Sequence, residues 1–184
     1  MTSITEHTTL SELAVIVSEA LAAAGIPAVL GGGAAVTYYS DSRYMSTDLD
    51  FITTERNKVI APVVARLGFR QRGKDFVHDD SKFFLEFPPG PISFGNRYVD
   101  VSETQIVETR FGELRIITPT QCVMDRLAWF VHGNDPQARA QAALVARLQP
   151  IDWGVVHDWA QEEGIDASVI EDARQAAGTD DSEV

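Results

Sequence analysis

The chain has 184 residues, which suits one domain or a core with a modest appendage, and 45% of them are hydrophobic, an ordinary share for a globular protein. Twenty-seven acidic residues against 15 basic ones give a net charge of −12, which excludes bulk electrostatic holding of nucleic acid and leaves only a locally basic groove for it. The single cysteine, Cys122, excludes an internal disulfide and a zinc knuckle.

The opening MTSITEHTT lacks the basic and apolar regions of a signal peptide, and no apolar run approaches membrane-spanning length. The expectation is a cytoplasmic protein with no membrane partner. The first predicted helix covers residues 9–25. Thr9-Leu-Ser-Glu12 fits a capping box, Leu10, Leu13, Ala14, Val17, Ala20, Leu21 and Ala24 form a stripe at helical spacing, and Gly25 ends it. A short buried strand over 26–30 leads into three glycines, Gly31 to Gly33, and a helix from Ala34 to Tyr39. Glycines at a strand-to-helix junction let backbone amides approach a ligand, and the start of the helix favours an anion.

A loop over 40–47 carries Arg43 and leads to Ser46-Thr47-Asp48-Leu49-Asp50-Phe51, which reads as a strand. Alternation on a strand puts Asp48 and Asp50 on one face, about 6.5 Å apart along the chain. Two carboxylates that close repel each other unless a cation sits between them, and a hard divalent ion such as Mg2+ suits their oxygens. An EF-hand is excluded, because Ile52 and Thr53 stand where an oxygen ligand and a glycine belong. So are a Gly-Lys-Ser/Thr phosphate loop and the G-x-G-x-x-G fingerprint, where Val36 replaces the third glycine.

A second helix is expected over 55–67, with Val59, Ile60, Val63, Val64 and Leu67 inward and Pro62 marking either an interior site or the true start. Strands over 69–72 and 76–77 flank a Gly73-Lys74-Asp75 turn. The run Lys82 to Phe87 is a strand closed by Pro88-Pro89-Gly90-Pro91. Glu86, a lone charge in that apolar strand, calls for a cationic partner. One more strand is expected over 114–118. Helices follow over 119–132, from a cap at Asn134 or Asp135 to about Leu148, over 152–163 and over 166–177, with Asp180 to Glu183 disordered. Trp129, Trp153 and Trp159 are assigned to the core, Cys122 to a small buried position, and the four histidines to no metal site.

The glycines, the short helix, Arg43 and the Ser46-Thr47-Asp48-Leu49-Asp50-Phe51 run together resemble the polymerase-β-type nucleotidyltransferase superfamily, closest to the AbiEii/AbiGii toxin-like nucleotidyltransferases. The resemblance covers residues 10–120 well and the rest loosely. It implies an α/β (α+β) core at 1–118, a small mixed sheet flanked by helices, and a helical C-terminal region at 119–184 packed on it. It further implies Mg2+-dependent transfer of a nucleoside monophosphate from an NTP to a hydroxyl on an RNA end or a protein, with a cognate antitoxin or a homodimer as further partners. Asp48 and Asp50 would bridge one or two metal ions. Glu86, preferred over Asp100, would complete the metal set and steer the acceptor proton. Gly32 and Gly33 would hold phosphates through their amides, with Arg43 and Thr47 as lesser nucleotide contacts. Met124 stands before Asp125-Arg126 where the family often carries a lysine. A non-catalytic member of the fold serving as a binding module is the alternative.

Overall fold

The structure is a computed structural model that describes residues 4–178; the expected disorder at 180–183 lies outside them. Its centre is a seven-stranded mixed sheet built from β1 (Val29–Gly31), β2 (Asp48–Ile52), β3 (Arg70–Arg72), β4 (Asp75–Val77), β5 (Phe84–Glu86), β8 (Gln105–Thr109) and β9 (Gly112–Ile116). Their order across the sheet is β3-β4-β5-β2-β1-β9-β8. A separate hairpin is made of β6 (Ile92–Phe94) and β7 (Arg97–Val99). This is the mixed α/β arrangement expected from the sequence.

The middle strands explain themselves by alternation. In β2, Leu49 and Phe51 are fully buried while Asp48, Asp50 and Ile52 alternate with them on the other face. β2 runs antiparallel to β1 and parallel to β5, and the register sets Gly31 level with Asp50 and Asp50 level with Glu86.

Helix α1 (Leu10–Ala23) opens with the expected reciprocal cap, Thr9 donating its amide to Glu12 Oε2 at 2.8 Å and Glu12 donating its amide to Thr9 Oγ1 at 3.2 Å. Its stripe Leu10, Leu13, Ala14, Val17 and Leu21 is buried, whereas Ala24 falls beyond the helix end and is exposed. α1 lies along β9, where Ser18 Oγ and Glu19 Oε1 accept the amides of Arg115 and Glu113 at 3.1 and 2.7 Å. Polar side chains of a helix thereby satisfy strand amides that would otherwise be left without partners.

Helix α3 (Asn57–Ala65) is shorter than expected and holds Pro62 in its interior. Val59, expected inward, is 40% exposed, because the helix buries only Ile60, Val63 and Val64. The β6–β7 hairpin, a 3-10 turn over Val101–Glu103 and strand β8 are elements not expected from the sequence.

The C-terminal helices are α4 (Pro119–His132), α5 (Pro136–Leu148), α6 (Trp153–Glu162) and α7 (Ala167–Gly178). Thr118 caps α4 with Gln121, and Asp135 caps α5 ahead of Pro136. α4 and α5 pack on helix α2 (Gly32–Tyr39), and α6 packs on α4. Trp159 is fully buried as expected and donates Nε1–H to the Phe94 carbonyl at 2.9 Å, tying α6 to the β6–β7 hairpin. Cys122 is fully buried in α4, and burial pushes its thiol well above the ordinary range. No helix among the described residues is long and apolar enough to cross a membrane.

Candidate active site

The site forms where β1 turns into α2 against β2. Gly31 is the N-cap residue of α2 and carries no side chain to close the helix start, so no side chain caps its first amides. Gly32 takes a φ of +58°, a left-handed conformation. A Cβ placed there would lie 2.2 Å from Asp50 Oδ2, and one on Gly33 would lie 2.8 Å from Ser46 Oγ. The two glycines therefore let an uncapped helix start close directly onto the Asp48–Asp50 face. Backbone that favours an anion and carboxylates that favour a cation meet at one point.

The loop over 40–47 is fastened to α2 by hydroxyls. Thr37 Oγ1 donates to the Gly33 carbonyl at 3.1 Å and accepts the Ser46 amide at 2.9 Å. Ser46 in turn donates its hydroxyl to Asp48 Oδ1 at 2.6 Å, which fixes that carboxylate. Ser46 itself went unread in the sequence, although alternation places it on the same face as Asp48.

Register sets Glu86 beside Asp50 on the same face, so Asp48, Asp50 and Glu86 come together. Asp100 does not join them: it caps the 3-10 turn over Val101–Glu103 by accepting the Ser102 amide at 2.8 Å. Glu86 Oε2 accepts from Lys74 Nζ at 2.7 Å, Lys74 reaching across from the turn between β3 and β4. Arg43 and Thr47 are exposed and do not line the cleft. Of the other basic residues between the Asp pair and Glu86, Arg70 pairs with Asp79 and Lys82 lies over the Phe83 ring at 5.0 Å. Arg66 lines a separate groove with α1.

A cleft of about 570 Å3 spans the two glycines, Ser46, the three carboxylates, Lys74 and the far wall supplied by the C-terminal helices. That wall holds Asp125, Arg126 and Trp129 of α4 and Gln141 of α5. Arg126, only 8% exposed, donates through Nε and Nη2 to Asp125 Oδ2 at 3.0 and 2.5 Å and through Nη1 to Gln141 Oε1 at 3.3 Å. Trp129 does not belong to the core: it is 53% exposed and faces the cleft one turn beyond Asp125. Its spacing of four residues from Asp125 is the signal that would have found it.

Electrostatics single out Asp50. Burial, and then the negative charges of Asp48, Glu86 and Asp125, push its carboxyl up from 3.8 to about 7, with Arg126 opposing the rise. The site holds more negative charge than its own cations balance. Hard oxygen donors with a charge deficit fit a divalent cation of the Mg2+ type, which binds through one or two carboxylates plus water and substrate phosphates. Asp48 and Asp50 are the pair that would hold it. Among the described residues no three His, Cys, Asp or Glu side chains are grouped to hold an ion by themselves, so water and substrate phosphates would complete its shell.

No family model and no curated protein matches the chain. Among solved structures it is similar to the antibiotic-resistance factor ANT(2'')-Ia in solution, at 15% identity and a TM-score of 0.47 over 91% of this chain and 89% of that one. It is also similar to the crystal structure of ANT(2'')-Ia in complex with adenylyl-2''-tobramycin, at 17% identity and a TM-score of 0.45 over 88% of this chain and 92% of that one.

Proposed function

We propose that the protein is a metal-dependent nucleotidyltransferase of the polymerase-β type that moves a nucleoside monophosphate from an NTP to an acceptor hydroxyl. One observation carries the reading: a Cβ on Gly32 would sit 2.2 Å from Asp50 Oδ2, so an open helix start and a carboxylate pair share a single binding point. A nucleoside triphosphate with its divalent cation offers both charges to such a point at once.

In this reading the amides of Gly32 and Gly33 bind the β- and γ-phosphates and orient the α-phosphorus in line with the acceptor. A bound Mg2+ would supply Lewis-acid neutralisation of the charge that develops on the phosphate oxygens. The acceptor oxygen bonds to the α-phosphorus, the bond to the α,β-bridging oxygen breaks, and pyrophosphate leaves. Glu86 takes the acceptor proton from its place level with Asp50. Ser46 keeps the Asp48 carboxylate in a fixed rotamer through its 2.6 Å bond. Arg43 and Thr47, if they touch the nucleotide, do so from outside the cleft lining.

The acceptor follows from charge. Asp48, Asp50, Glu86, Asp125 and Asp135 line the cleft against Lys74 and Arg126, and a triphosphate with one divalent cation keeps a net negative charge of its own. What remains is negative. That disfavours an RNA end, whose phosphates would enter the same field, and favours a hydroxyl on a protein side chain or a small neutral or cationic molecule. Exposed Trp129 offers such an acceptor a flat apolar surface.

The test is incubation with each NTP and Mg2+ in the presence of candidate acceptors, following pyrophosphate, orthophosphate and acceptor mass together. Pyrophosphate release with a nucleotide adduct, absent in Asp48→Asn, is the expected result. Orthophosphate alone would indicate a phosphohydrolase, and silence on both would leave the non-catalytic binding module.

A further inference from the structure

Two cations line the cleft, and they are held very differently. Arg126 is buried and committed to Asp125 and Gln141. Lys74 sits at the tip of the β3–β4 hairpin, where Gly73 and Lys74 form the two-residue turn between the paired Arg72 and Asp75. Its side chain is 77% exposed, yet its ammonium lies 2.7 Å from Glu86 Oε2, whose side chain is 19% exposed. A long, flexible stem anchored only at a hairpin tip thus delivers a point charge to one end of the acidic row.

Resting on the nucleotidyltransferase reading, we propose that Lys74 is an exchangeable counter-ion of the active site. In the metal-free protein it holds Glu86; when a divalent cation enters beside Asp48 and Asp50, it gives up Glu86 and turns to the nucleotide polyphosphate.

Three features of the site support this. Like charges repel, so an ammonium bonded to Glu86 weakens the hold of Asp48 and Asp50 on a divalent ion one strand away in register. Of the other carboxylates in the cleft lining, Asp125 is already bonded to Arg126 and Asp48 already accepts from Ser46, so neither stands free to take the released ammonium. Gly32, Gly33 and Lys74 line one cleft, so polyphosphate held on the glycine amides would share that space with the hairpin tip. Metal and nucleotide would then be coupled through one side chain: the first makes Lys74 available, and the second gives it a new partner.

The experiment is calorimetric titration of the nucleotide-free full chain with Mn2+, followed by inorganic tripolyphosphate at saturating Mn2+, for the parent, Lys74→Met, Lys74→Arg and Asp50→Asn. Lys74 is exposed on a turn, so Lys74→Met should fold; circular dichroism checks that. Removing the competitor should tighten Mn2+ binding in Lys74→Met by roughly threefold to fivefold, the factor that a partly exposed ion pair carries. Tripolyphosphate should bind it more weakly by a similar factor. Lys74→Arg should return both to near the parental values, which a merely structural role of the turn would not require. Mn2+ affinity that is unchanged or weaker in Lys74→Met overturns the exchange while leaving the enzyme reading intact, provided that the parent binds Mn2+ and Asp50→Asn does not. Tripolyphosphate affinity that is unchanged in Lys74→Met overturns the transfer of Lys74 to phosphate. A parent that binds no Mn2+ overturns both this proposal and the reading beneath it.

Discussion

Asp50→Asn tests the electrostatics of the site without requiring any substrate. The Asp50 carboxyl rises from its ordinary 3.8 to about 7 in the fold, so between those values the folded chain holds a proton that the unfolded chain has released. The sign follows: this contribution to stability is complete below about pH 4 and is lost as pH rises through about 7. At about 1.4 kcal/mol per tenfold step in acidity, the ceiling is about 4 kcal/mol. Solvent reaching the partly open cleft should halve that to about 2 kcal/mol, or roughly 4–8 °C of melting temperature for a chain of this size. Asparagine has no proton to lose. In chelator-treated buffer, Asp50→Asn should therefore melt above the parent at about pH 8, and the gap should close toward about pH 4. Added Mg2+ should raise the parent and not the variant. A melting difference that does not change with pH would refute the charge-deficit argument and, with it, the best reason to expect a cation there.

Glu86→Gln should cut pyrophosphate release about a hundredfold or more, while Asp100→Asn should keep it and lose only a little melting temperature, because Asp100 caps a surface 3-10 turn. Comparable losses in both would remove Glu86 from its assigned role. Gly32→Ala introduces a Cβ 2.2 Å from Asp50 Oδ2 at a φ of +58°, and should lose about 1–3 kcal/mol of stability along with tripolyphosphate binding; calorimetry reads both. Random duplex DNA should fail to shift the protein in a gel at physiological salt, given the net charge of −12. Tight sequence-blind binding would show that a local basic surface outweighs the total.

The parts of the site legible in the sequence were those governed by short-range rules. Alternation alone puts Asp48 and Asp50 on one face, and three consecutive glycines leave few uses other than a close backbone approach. The capping box at Thr9 and the Asp135-Pro136 helix start are equally local, and the corresponding helices begin where those residues stand. What escaped depends on contacts far apart in the chain. Trp129 is flanked by apolar residues and reads as core, yet its face of α4 looks into a cleft that exists only after α4 packs on α2. Lys74 was one of several basic residues until the hairpin folded its tip over Glu86. Strands β6 and β7 have only three residues each, and β8 has no fully buried position and carries Glu108, so periodicity had too few buried positions to mark them. Val59 shows the converse error, an apolar residue on a surface turn of α3 that packing did not need.

Gly31, Asp50 and Glu86 occupy one rung across three neighbouring strands. Their mutual spacing is therefore a multiple of the interstrand distance of about 4.8 Å, set by backbone hydrogen bonds and not by side-chain fit. A spacing of that kind does not depend on what connects the strands. The connection from β2 to β5 contains α3 and the β3–β4 hairpin, and its length could change by many residues without moving either carboxylate. The hairpin tip alone would shift, and Lys74 with it. Versions with longer or shorter tips would thus keep the same rung of glycine and carboxylates while differing in how its charge is balanced, making the turn at Gly73 and Lys74 a place where the site's electrostatics can be retuned independently of the fold.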